Sequence, residues 1–156
     1  MTSSSPILVD LVEHTQASAN TGIGRHVSEI KHHLDKFDQL SIEVRRNQHP
    51  PLANRFTPLA LLPVGVKDRR ANSIVHFMQI VGTSQMLWHP ISPTVATVHD
   101  LGVLVCEADE VLFNTFERAL MSLQFRGLKC VDFFATTSNY TAQAINDVWG
   151  IPANRI

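Results

Sequence analysis

The chain has 156 residues, enough for one ordinary domain with a real core. Its composition, 44% hydrophobic and 17% charged, is that of a globular protein, neither disordered nor collagen-like. A formal net charge of -1 and a pI near 6.7 give no electrostatic footprint for a nucleic-acid partner.

Residues 1–5 are polar and expected to be disordered, and they lack the basic start and apolar core of a signal peptide. Residues 6–156 are read as a single domain. The longest apolar patch, residues 59–66, is broken by Pro63 and Gly65 and falls short of the roughly 18 to 20 apolar residues that cross a bilayer. A cytoplasmic protein with at most peripheral membrane contact is expected. Cys106 and Cys130 lie far apart and form no CxxC pair, so both read as buried free thiols of a reduced compartment. The doublets Arg45-Arg46 and Arg69-Arg70 read as solvated loop or strand ends.

Short apolar runs alternate with helical periodicities, the pattern of βαβ units and a parallel sheet. Residues 7–12 read as the first strand. A helix is predicted over residues 22–37, with Ile23, Val27, Ile30, Leu34 and Phe37 on one face and Arg25, Glu29, Lys31, His32 and His33 on the other. Residues 40–44 read as strand two. Prolines at 50, 51, 58 and 63 make residues 47–72 a loop with at most a short helical turn. Residues 73–77 read as strand three and 83–89 as a short helix closed by Pro90 and Pro93. Residues 94–98, β-branched and nearly uninterrupted, read as a fourth strand buried on both faces. A long helix follows over residues 107–128, its core stripe built from Leu112, Phe116, Ala119, Leu120 and Leu123. Strand five covers residues 131–136. A last helix runs over 139–149, capped by Ser138 and stopped by Gly150 and Pro152.

The expected architecture is therefore α/β: a Rossmann-like, doubly wound parallel sheet of about five strands in the order 3-2-1-4-5, with helices on both faces. That order makes strands one and four neighbours, and ligands of open α/β sheets bind where the strand order reverses. Thr21-Gly22-Ile23-Gly24-Arg25 follows strand one and His99-Asp100 follows strand four, so both segments are expected at one crevice.

Gly22 and Gly24 open a helix, where exposed backbone amides without a Cβ let a phosphate or diphosphate approach closely. A simple turn is the other reading, and the expected crevice position favours the anion. Val27 stands where a dinucleotide fingerprint has its third glycine, and no Gly-Lys-Ser/Thr of a P-loop follows. A nicotinamide-dependent enzyme is disfavoured on that ground. His99 suits a sugar hydroxyl or a phosphate oxygen near neutral pH, or else a backbone hydrogen bond at a strand end. Asp100 accepts from His99 or from its own loop, the structural role being the stronger reading. Ser138 reads as a helix cap and secondarily as a residue lining the site. The remaining histidines are scattered, His32-His33 on a helix face and His76 in a strand, and no metal site is expected.

Three segments carry a resemblance. The segment from Thr21 to Ile30, Thr-Gly-Ile-Gly-Arg-His-Val-Ser-Glu-Ile, resembles the "GIGRYVxxL" segment of family 4 glycosyltransferases of the GT-B fold. Pro93 to Leu101 resembles their "PxVxTxHDL" strand and loop. Residues 134–141 and 149–156 are similar to their "IxVSxxT…GxPxxRI" close. The segments occur in the family's order. The resemblance implies an N-terminal, acceptor-side domain of a retaining, metal-independent hexosyltransferase with no cofactor beyond its nucleotide-sugar co-substrate. The acceptor would be a saccharide, lipid or small molecule. Gly22, Gly24 and Arg25 would face the donor diphosphate, His99 would act as the catalytic contact to the transferred sugar, and Asp100 and Ser138 would line the site. It also implies a C-terminal nucleotide-binding domain or a partner subunit, without which the chain alone is expected to be inactive. A non-catalytic binding module on the same fold is the rival expectation.

Overall fold

The computed structural model describes residues 6–13, 22–46, 72–80, 82–99 and 115–156. Residues 47–71 of the loop assigned to 47–72, Cys106, Asp100, the doublet Arg69-Arg70 and the start of the long helix over 107–114 lie outside the described residues, as do residues 1–5.

Five strands, β1 (Ile7–Glu13), β2 (Leu40–Arg46), β3 (Ser73–Phe77), β4 (Thr94–Val98) and β5 (Phe133–Thr136), form one sheet. Every pairing is parallel, as expected of an α/β, Rossmann-like fold. The order, however, is β2-β1-β3-β4-β5. The expected neighbour of β1, strand four, is displaced by β3, which pairs along β1 from Leu8↔Ser73 to Val12↔Phe77. The connection from β2 thus returns past β1 to its free edge, and the expected order 3-2-1-4-5 is corrected to 2-1-3-4-5. The reversal of strand order falls between β1 and β3, with the end of β4 one strand beyond it.

Alternation along the strands feeds two core layers. Val9 and Leu11 of β1 join Val27 and Met78, with Ile23, Ile30, Leu34, Leu40, Ile42 and Val44 packed around them. This layer lies under α1 (Gly22–Leu34). The second layer combines Val12, Val75, Phe77, Ala96 and Val98 with Met86, Leu128, Phe134, Ile145 and Ile151. It is covered by a 3-10 turn (Thr83–Leu87), α2 (Thr115–Leu128) and α3 (Asn139–Trp149).

α1 ends three residues before the predicted limit. Phe37 falls in the turn leading to β2, where Leu40 N donates to Phe37 O at 2.9 Å, and its ring is 51% exposed instead of joining the core stripe. Among the residues of α2 whose side chains are described, Gln124, Gly127 and Leu128 are buried, while Ala119, assigned to the core stripe, is exposed. The reason is polar packing. Gln124 Oε1 accepts from the amides of Gly82 at 2.9 Å and Ser84 at 3.0 Å, and Thr83 Oγ1 donates to Gln124 O at 2.8 Å. Gly127 lets the helix backbone close on the 3-10 turn: a Cβ there would stand 2.7 Å from Ser84 Cα. Cys130, expected to be buried, is exposed just past α2.

α3 begins and ends as its residues dictate. Ser138 Oγ accepts from Thr141 N at 3.1 Å, and Gly150 at φ 66 adopts the left-handed stop that a side chain would resist. At the other end of the sheet, Asp132 and Thr94 bind reciprocally. Asp132 Oδ2 accepts from Thr94 N at 2.8 Å and Thr94 Oγ1 at 2.9 Å, and Asp132 N donates to Thr94 Oγ1 at 3.0 Å. Arg155 closes this corner by donating to the carbonyls of Asp132 and Val131, with its guanidinium 5.6 Å from the Phe134 ring centroid.

Candidate functional site

The carboxyl ends of β1, β3, β4 and β5 are joined by a line of hydrogen bonds. Met78, directly after β3, donates its amide to Val12 O at 3.0 Å. Its own carbonyl lies 3.0 Å from His99 Nε2. The carbonyl of His99 accepts from Thr137 Oγ1, after β5, at 2.7 Å. A carbonyl oxygen can only accept, so Nε2 of His99 carries a proton, and in the neutral ring Nδ1 is the acceptor. The backbone bond expected as one reading of His99 is therefore present, and it leaves the second ring nitrogen uncommitted to that bond.

α1 enters the same edge. Gly22 is exposed, and a Cβ on it would meet nothing within 4 Å. No carboxylate occupies the first turn of the helix, so the positive end of the helix dipole is not neutralised from within. Gly24 is buried, and Arg25 is exposed. The next residue, His26, reaches His99: the ring centroids are 5.0 Å apart with planes at 79°. The displaced β4 is thus brought back to the helix opening by its terminal side chain. The expected adjacency of β1 and β4, on which the predicted shared crevice of Gly22, Gly24, Arg25 and His99 rests, is absent, and the contact between the two segments is made by His26 and His99. Ser138 is engaged as the cap of α3, and Asp100 lies outside the described residues.

His76 completes a trio of histidines on this face. It points to the side of β3 opposite Val75 and Phe77, and its Nε2 lies 2.8 Å from Thr97 Oγ1 on β4. Burial, with a smaller contribution from His26, pushes His76 down to about 4. His26 is also lowered, first by burial and then by His99, while Glu29 opposes the shift. Both rings are neutral at pH 7. Nε2 of His26 is buried and has no hydrogen-bond partner among the described residues.

The sequence marks neither His26 nor His76 as a site residue. His26 sits one position past the Gly-Ile-Gly-Arg run, which was its only local signal, and His76 reads as an ordinary strand residue. Among the described residues, no group of three or more His, Cys, Asp or Glu is arranged to hold a metal ion. No helix among them is long and apolar enough to cross a membrane.

Chemically, the edge offers the amino end of a helix, an exposed guanidinium and an imidazole held by its bond to Met78 O. Such a set suits a ligand with both an anionic group and hydroxyls. Comparison of the chain with protein-family models, curated proteins and solved structures finds no match.

Proposed function

We propose that this domain belongs to a retaining glycosyltransferase and takes part in transfer from a nucleotide-sugar donor to a saccharide, lipid or small-molecule acceptor. The observation that carries the reading is the meeting of His26, in the first turns of α1, with His99 at the end of β4. It joins two of the three segments that resemble family 4 enzymes at one crevice of a parallel sheet. The amides that open α1, together with Arg25, would hold the donor diphosphate, and His99 would contact the transferred sugar. A hydrogen bond that strengthens as the glycosidic bond breaks lowers the barrier to transfer. Such a donor agrees with the cytoplasmic location expected from the sequence.

The strand order supports a second reading, a module that holds a phosphate-bearing ligand at the β1/β3 reversal without chemistry. Product formation separates the two.

Titration with UDP-, GDP- and ADP-sugars should reveal saturable binding of at least one. Gly22→Val should weaken it, because the added side chain meets open space in the protein and so acts on the ligand's approach, not on packing. In an assembled enzyme His99→Ala should lower turnover by roughly ten- to a hundredfold, with a smaller effect on donor affinity. Full turnover by His99→Ala, or unchanged donor affinity in Gly22→Val, would overturn the assignment.

A further inference from the structure

The contact between His26 and His99 has a chemical consequence of its own. We propose that His26 is a positioning residue for His99: its ring is an aromatic wall that keeps Nε2 of His99 on Met78 O and thereby keeps Nδ1 as an acceptor for a ligand hydroxyl. The hydroxyl part rests on the reading of the crevice as a sugar site; the positioning part does not.

Three observations lead there. The His99 main chain is pinned by Thr137 Oγ1 at 2.7 Å, so its remaining freedom is rotation of the side chain. One hydrogen bond, to Met78 O at 3.0 Å, does not by itself stop the ring from turning over and exchanging its nitrogens. The near-perpendicular ring of His26, 5.0 Å away at 79°, supplies the second constraint in the edge-to-face geometry that aromatic pairs prefer. Buried polar atoms are ordinarily hydrogen-bonded, yet Nε2 of His26 is buried without a partner among the described residues. That nitrogen contributes no bond to a described residue that would hold the ring for its own sake, whereas the ring's edge-to-face contact with His99 is present. Burial and His99 both favour the uncharged form of His26, so the wall adds no cation beside the acceptor, with Glu29 of α1 and His76 of β3 the other titratable groups acting across this face.

Long-range proton–nitrogen correlation of the 15N-histidine-labelled chain at pH 8 reports the tautomer of His99 directly. The expected result is a single Nε2–H form in the wild type and in His26→Phe, which keeps a ring at the contact. His26→Leu, of similar bulk without a ring, should show a mixture. With UDP-glucose as the probe, His26→Phe should bind within about twofold of wild type, and His26→Leu about three- to tenfold more weakly. An Nδ1–H form of His99 in the wild type, or a His26→Leu spectrum identical to it, would overturn the proposal without any variant having to bind a ligand. If the tautomer pattern holds and none of the three proteins binds a UDP-, GDP- or ADP-sugar, the positioning role stands and the sugar-donor reading of the crevice falls.

Discussion

His76 and Thr97 face each other across the β3–β4 pair, Nε2 to Oγ1 at 2.8 Å, in the layer beneath α1. The histidine is held at about 4, against 6.5 for the free group, chiefly by burial and further by His26. The unfolded chain therefore binds a proton between those values that the folded chain refuses, and stability must fall as pH drops from about 6.5 towards 4 and level off below. The full difference between the two values corresponds to on the order of 3 kcal/mol. Urea unfolding from pH 7.5 to 4 should show a shallower loss in His76→Gln than in wild type. Parallel curves for the two proteins would mean that His76 is not buried neutral.

Gly127 is a packing requirement. A Cβ there would press on the Thr83 carbonyl and stand 2.7 Å from Ser84 Cα, both backbone atoms that cannot swing aside. Gly127→Ala should destabilise by about 1 to 3 kcal/mol despite the higher helix propensity of alanine. Thermal melting checks this, and an unchanged or raised midpoint would show that α2 and the 3-10 turn can separate without cost.

Ser138→Ala isolates the cap of α3. Losing the bond from Thr141 N, at 3.1 Å, should cost about 1 kcal/mol, while affinity for any nucleotide sugar that binds should not change. A loss of ligand affinity larger than the loss of stability would make Ser138 a site residue instead.

Arg45 and Asp10 form the ion pair that ties β2 to β1 within the described sheet, Nε to Oδ1 at 2.8 Å. Asp10 is 2% exposed, so removing its partner strands a carboxylate in the core. Arg45→Ala should cost about 2 to 3 kcal/mol, and the double variant Arg45→Ala with Asp10→Asn should recover part of it. Chemical denaturation of both variants provides the measurement; equal losses in the two would show that the stranded charge is not the cause.

By itself the sequence determined the elements whose signals are local. The β-branched run of β4, the stripe of Ile23, Val27, Ile30 and Leu34 in α1, and α3 between Ser138 and Gly150 all depend on residues within a few positions of one another. The all-parallel α/β class follows from their alternation. The tertiary structure alone decided which strands are neighbours, because either edge of β1 satisfies the same apolar pattern and only the return from β2 selects β3. It also decided the face of α2, where Gln124 and Gly127 are buried for reasons of hydrogen bonding and close approach that no apolar stripe encodes. The candidate site divides in the same way. Gly22, Gly24 and His99 were legible as types of residue at strand and helix ends, whereas the partnership of His26 with His99, and of His76 with Thr97, exists only where distant segments converge at the sheet's carboxyl edge.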